Sequence, residues 1–118
     1  MSCVLRVTAP DIATAAHRLA VKPYRVEGNC AHFDVSVADF DDLAGQIADA
    51  IAFLKRHKAE VNELMALPSS DGVLDFGVAR RHVAAQFGRL SAELVCLAGK
   101  AGLALELSLY PVGEETEV

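Results

Sequence analysis

The spacing of apolar residues changes along this chain, and that spacing is what most constrains the fold. Between Ala31 and Val37 the residues alternate strictly, with apolar side chains at the odd positions and polar ones at the even positions. This period of two predicts a strand with one buried face. From Asp39 to Met65 apolar residues recur every three or four positions, which predicts one long amphipathic helix. Because each pattern buries one side only, the two elements are expected to pack as layers.

The remaining segments repeat these two patterns. Further strands are predicted at residues 3–8, 24–27, 73–79 and 103–110, and shorter helices at 11–20 and 91–98. Asp11 and Ser91 are the predicted N-caps of the two shorter helices, and Gly99 and Gly102 end the second one. Residues 80–90 fit neither pattern and are interpreted as part loop and part helix.

The fold class follows from how the strands alternate. Strands buried on both faces would be continuous apolar runs, and none of these is, so helices are expected on one side of the sheet only. The prediction is an α+β two-layer sandwich. Its four- or five-stranded, mostly antiparallel sheet has one face covered by a long helix and two shorter ones.

Length and charge narrow the class of protein. A chain of 118 residues that is 53% hydrophobic is expected to form one domain, here residues 1–112, followed by an acidic flexible tail at 113–118. The 11 Lys and Arg against 16 Asp and Glu give a net charge of −5. This balance argues against nucleic acid and against an anionic membrane surface as partners. No apolar run approaches the roughly 20 residues that a membrane span needs.

Cysteine usage predicts a reducing compartment. Cys3, Cys30 and Cys96 are odd in number and show no paired spacing, so free thiols are expected rather than a disulfide framework. Arg6 and Asp11 interrupt any apolar stretch near the N-terminus, where a secretory signal would lie. A cytoplasmic location is therefore predicted.

Strand parity gathers polar residues on the face of the sheet that the helices leave open. That face is expected to hold Arg6, Thr8, His32, Asp34, Ser36, Asp75, Glu106, Ser108 and Tyr110. Such a surface can be a solvated sheet face, an interface with a second copy, or a ligand site. The candidate ligand or interface residues are Arg6, His32, Asp34, Asp75, Glu106 and Tyr110.

Two functional hypotheses from different classes follow. The preferred one is a non-enzymatic binding or protein-interaction module, immunity-like or regulatory, whose partner is another protein or its own copy. It would use the open sheet face or the 80–90 loop, where Arg80, Arg81 and Arg89 form the basic cluster that an anion or acidic partner would meet. The alternative is a small-molecule binder or acid–base enzyme built on the three carboxylates Asp34, Asp75 and Glu106. In that reading mutual repulsion favours protonation of one acid, and His32 takes part in proton transfer.

Motifs for other chemistries are weak. Cys30 and His32 place two soft donors on one side of a strand, but no second Cys/His pair supplies the three or four ligands that zinc needs. No nucleophile elbow precedes a helix, and no glycine-rich turn opens one. No catalytic residue, metal or cofactor is predicted.

Three segments carry a family resemblance. They are residues 22–28 (KPYRVEG), 74–78 (LDFGV) and 105–111 (LELSLYP), in the order of elements given above. Over nearly its whole length the chain resembles the bacterial family catalogued as domain of unknown function 4279. The Trp or additional basic residues found near the hairpin in such proteins are absent, and only Arg25 stands there. The resemblance implies a fold and a bacterial cytosolic setting, and it carries over no catalytic residue.

Overall fold

The computed structural model describes residues 1–111 and confirms the α+β two-layer sandwich. The elements in chain order are β1 (Cys3–Thr8), α1 (Ile12–His17), β2 (Arg25–Glu27), β3 (Cys30–Ser36), α2 (Leu43–Arg56), α3 (Lys58–Met65), β4 (Asp71–Arg80), α4 (Ala92–Ala101) and β5 (Leu103–Pro111). The predicted acidic tail at 113–118 lies outside the described residues.

The five strands form one mixed sheet in the order β2-β3-β1-β4-β5. β1 pairs antiparallel with β3 and with β4, and β2 pairs antiparallel with β3. β5 runs parallel to β4, which it follows through the crossover helix α4. The order leaves a three-residue strand, β2, at one edge and a nine-residue strand, β5, at the other.

The core lies between the sheet and the helices. Every second residue of β1 points into it, and Leu5 and Val7 are almost fully buried, as are Phe33 in β3 and Phe76 in β4. The helices contribute buried residues from one face each, namely Ile12, Ala16, Ile47, Ala50, Leu54, Val61, Leu64, Leu94 and Ala98. The predicted division of each strand into an apolar and a polar face is what builds this layer.

The stretch predicted as one long helix folds as two, α2 and α3, separated at His57. His57 has φ −108° and ψ 28°, outside the helical region. The Glu60 carboxylate accepts a hydrogen bond from the backbone N–H of Val21 at 2.8 Å and lies 3.1 Å from Nδ1 of His57. These contacts join the start of α3 to the segment after α1. The break therefore has a tertiary cause, which the spacing of apolar residues cannot predict.

A bulge in β3 changes which face its last residues occupy. Cys3 pairs with Ser36 but Val4 pairs with Asp34, so Val35 is the additional residue. Ser36 is consequently buried on the helical side, where its hydroxyl donates to Asp49 of α2 at 2.6 Å. The prediction that Ser36 lies on the open face is wrong, because the bulge reverses the alternation.

The helix caps agree with the sequence in one case and differ in another. Ser91 caps α4 by accepting from the N–H of Leu94 at 3.2 Å, and Gly102 ends that helix with φ 78°. Gly99, which was also expected to end it, lies within α4. Asp11 precedes α1, but its side chain makes no capping hydrogen bond, and α1 ends at His17 rather than near residue 20. Residues 81–89 form no helix or strand, so the ambiguous stretch is a loop after β4.

Candidate functional site

An ion network crosses the open face of the sheet at its centre. Arg6 of β1 donates from Nη1 to Asp75 of β4 and from Nη2 to Glu106 of β5, each at 2.7 Å. The hydroxyl of Ser108 donates to the other oxygen of Asp75 at 2.7 Å. Only 28% of the Arg6 side chain and 14% of the Asp75 side chain are exposed to solvent. Three of the six candidate residues are therefore joined in one cluster.

One cation in this network serves two acids. Hydrogen bonding to Asp75, and then to Glu106, raises the pKa of Arg6 above the usual range of a guanidinium, so this cation is permanent. One fixed positive charge thus lies against both acids and offsets the repulsion between them. The cluster has the character of a structural ion network more than of a proton-transfer site.

His32 occupies the same face but is covered. It pairs with Arg6 across β1 and with Arg25 across β2, and the ring of Tyr24 lies 5.9 Å from its ring. Only 8% of the residue is exposed. Burial, followed by the nearby charges of Arg25 and Arg6, lowers the pKa of His32, so its ring is neutral at pH 7.

This burial predicts a pH dependence of stability. Below about pH 6.5, the ordinary pKa of histidine, the unfolded chain takes up a proton that folded His32 resists, so the free energy of unfolding falls as the pH falls. His32→Gln removes the titration and is expected to flatten the dependence between about pH 6.5 and 5. Urea unfolding at a series of pH values measures it.

The matched control is His17→Gln, at an exposed position of α1. It should keep the slope of the natural protein. Equal slopes in both variants would show that His32 does not carry this dependence.

Asp34 and Tyr110 lie apart from the network. Asp34 is exposed, and it borders a hollow at the edge of β3 that Asp49, Arg56 and His57 also line. Tyr110 packs on Phe40, with 5.1 Å between ring centres. The three carboxylates of the acid–base alternative are therefore divided between a pair, Asp75 and Glu106, and a separate edge position.

Two arginines of the basic cluster, Arg80 and Arg81, line one hollow beside Leu109, and Arg89 lies apart from them. Arg80 ends β4 and is exposed, while Arg81 pairs with Asp41. Arg89 borders a hollow beside α2 together with Ser91 and Glu93. The loop itself is attached to β4, because the side-chain amide of Gln86 accepts from the N–H of Arg81 and donates to the carbonyl of Ala79, at 2.8 and 2.7 Å.

Large apolar side chains are exposed at the end of β5 and in the loop after β4, which the alternation of the strands did not predict. α4 packs over the start of β5, and further along the strand Leu107 and Leu109 are 43% and 58% exposed. Loop residues 80–86 adjoin Leu109, and nearby Phe87 is 93% exposed. We call residues 81–89 together with residues 107–110 the docking surface. Alternation predicted Leu107 and Leu109 as buried, because it cannot show where the helical layer ends.

Metal-binding geometry is absent from the part of the chain that the structure describes. Within residues 1–111 no three His, Cys, Asp or Glu side chains are placed to hold one ion. Cys30 shares the open face with His32, whereas Cys3 faces the core, where burial and the nearby acids raise its pKa to about 12. None of the helices within these residues has the length and apolar character needed to cross a membrane.

Comparison with known proteins gives no match. No family model matches the chain, and no curated protein or solved structure is significantly similar to it. The resemblance to the family catalogued as domain of unknown function 4279 stays a prediction.

Proposed function

We propose that this chain is a non-enzymatic interaction module that associates through the docking surface, with a second copy of itself as the partner. The observation that carries the proposal is the exposure of Leu107 and Leu109 on the edge strand β5, next to a loop that ends in the exposed Phe87. Clusters of exposed apolar side chains are typical of interaction sites, whereas single ones are ordinary.

The edge of the sheet at this place is open to pairing. Among the described residues β5 pairs with β4 only, so its outer side offers unpaired backbone N–H and C=O groups. Edge strands usually resist pairing through lysines, prolines or short length. β5 has nine residues with a single charge, Glu106, and its proline stands at the last position. The opposite edge, β2, has three residues and carries Arg25 and Glu27.

The sequence of β5 favours an antiparallel pair with itself. A two-fold axis at Leu107 would place Leu105 opposite Leu109 of the second copy, so that leucines line one face of the joined sheet. On the other face Glu106 would lie opposite Ser108 rather than opposite its own copy. Moving the axis to Glu106 would bring the two like charges together, which is unfavourable.

The cysteines bear on the cellular setting. All three cysteines are free thiols, which fits a reducing compartment such as the cytoplasm of a bacterium. An immunity-like or regulatory role would suit a small module of this kind. The acid–base alternative has less support, since Arg6 is paired with both acids.

Light scattering after size exclusion tests the proposal. The natural protein at about 100 μM, far above the Kd of a specific dimer, should have twice the mass of one chain. Leu109→Lys adds a desolvated charge, and Phe87→Ser removes the most exposed aromatic ring, so both variants should shift toward the monomer. Circular dichroism checks that each variant is folded, and Phe87→Ser changes no buried residue.

The control is Val26→Lys, the same kind of exchange on the opposite edge strand, where Val26 is 38% exposed. It should leave the dimer intact. A monomeric natural protein, or folded Leu109→Lys and Phe87→Ser variants that stay dimeric, would overturn the proposal.

A further inference from the structure

A groove between the helices concentrates the lysines of an acidic protein. The chain has four lysines and a net charge of −5, and Lys55, Lys58 and Lys100 all line this one groove. They come from three different helices, α2, α3 and α4, so the fold and not the local sequence brings them together. Residues of the helices alone line the groove, and it shares no residue with the docking surface.

The floor of the groove is apolar. Leu54, Val61, Leu97 and Ala101 line it, with Asn62 as the uncharged polar group. Its volume is about 450 Å³, within the range of roughly 300–1,000 Å³ that is usual for small-molecule sites. The break between α2 and α3 lies beside it, because Lys55 precedes the break and Lys58 follows it.

Two of the three lysines have no acidic partner among residues 1–111. Lys55 pairs with Glu93 at 2.8 Å, whereas Lys58 and Lys100 form no ion pair with any residue in the range 1–111. The helix dipole favours cations at Lys55 and Lys100, which lie in the last turns of α2 and α4. The dipole of α3 disfavours a cation at Lys58, because Lys58 is the first residue of that helix. Helix stability therefore does not explain a lysine at this position.

We propose that this groove binds a small amphiphile with a carboxylate head group and an alkyl chain. The head group would lie between Lys58 and Lys100, and the chain would cover Leu97 and the floor. Such a ligand matches both properties of the groove, its positive rim and its apolar base. The site does not depend on self-association, since no residue of the docking surface takes part.

Titration with sodium decanoate, followed by backbone amide NMR shifts, tests the proposal. Saturable shifts are expected at residues 58–62 and 97–101, with little change on β5. Each alkyl carbon that becomes buried should raise the affinity, up to about four-fold per CH₂ for full burial, so decanoate should bind more tightly than octanoate. The double variant Lys58→Ala/Lys100→Ala should weaken binding about ten-fold.

The matched control is Lys22→Ala, which removes the one lysine outside the groove. It should bind decanoate as the natural protein does. The proposal fails if decanoate causes no saturable shift, if decanol binds equally well, or if the double variant keeps its affinity. Binding of a glutamate-rich peptide in place of decanoate would assign the groove to a protein partner and would also overturn it.

Discussion

Replacement of Gln46 by leucine is expected to lower the free energy of unfolding by about 2–4 kcal/mol. Gln46 belongs to α2 and is completely buried. Its side-chain N–H groups donate to the carbonyls of Gly77 at 2.8 Å and Asp39 at 3.2 Å. Leucine has a similar size but no hydrogen-bond donor, so the carbonyls of Gly77 and Asp39 would both lose their partner. The Gly77 carbonyl is buried, and water cannot replace the lost hydrogen bond there. Urea unfolding of both proteins at neutral pH measures the difference.

Gln86→Leu is the matched control, because Gln86 also bonds two backbone groups but lies in an exposed loop. Water can replace its hydrogen bonds, so its loss should stay below about 1 kcal/mol. Similar losses in the two variants would contradict the assignment. The amide oxygen of Gln46 has no hydrogen-bond partner among the described residues. The expected loss of stability therefore comes from the hydrogen bonds that the side-chain NH₂ group donates.

Gln46 also shows where sequence reasoning ends. Apolar spacing predicted the helix and its buried stripe, and Ile47, Ala50 and Leu54 are buried as expected. A glutamine beside that stripe is ordinarily exposed. Gln46 is buried because it fills the end of the sheet beyond β1, where it bonds Gly77 of β4. Only the tertiary arrangement shows that a backbone carbonyl needs a donor there.

The local departures from the predicted elements have the same origin. The bulge at Val35 turns Ser36 toward Asp49, and the contacts of Glu60 accompany the break at His57. Neither event alters the residue types or their spacing, so both are invisible to periodicity. The fold class was nevertheless predictable, since it depends on which faces are apolar and not on single residues.

For the candidate site, parity predicts the face of a residue but not its neighbours. Arg6, Asp75 and Glu106 were expected on the open face, and the order β1-β4-β5 is what brings them within hydrogen-bond distance. Asp34 carries the same charge but lies on β3, on the other side of β1. Strand order depends on which connections cross the sheet, and one sequence does not contain that information.

Removal of the central cation should lower the free energy of unfolding of the protein. Arg6→Met leaves Asp75 and Glu106 side by side on paired strands without a counter-charge. Breaking a fully buried ion pair costs about 3–5 kcal/mol and an exposed one less than about 1, so about 1–3 kcal/mol is expected for this half-buried pair at pH 7. Part of this loss is repulsion between the two acids, which no cation then offsets. Urea unfolding of both proteins at pH 7 measures the effect.

The second substitution Asp75→Asn, made in the Arg6→Met protein, identifies the cause. It removes one of the two facing charges, so it should recover part of the stability at pH 7. If the double variant were no more stable than Arg6→Met, the two acids would not repel each other. General weakening of the fold would then account for the loss, because removing a charge relieves only an unbalanced acid pair.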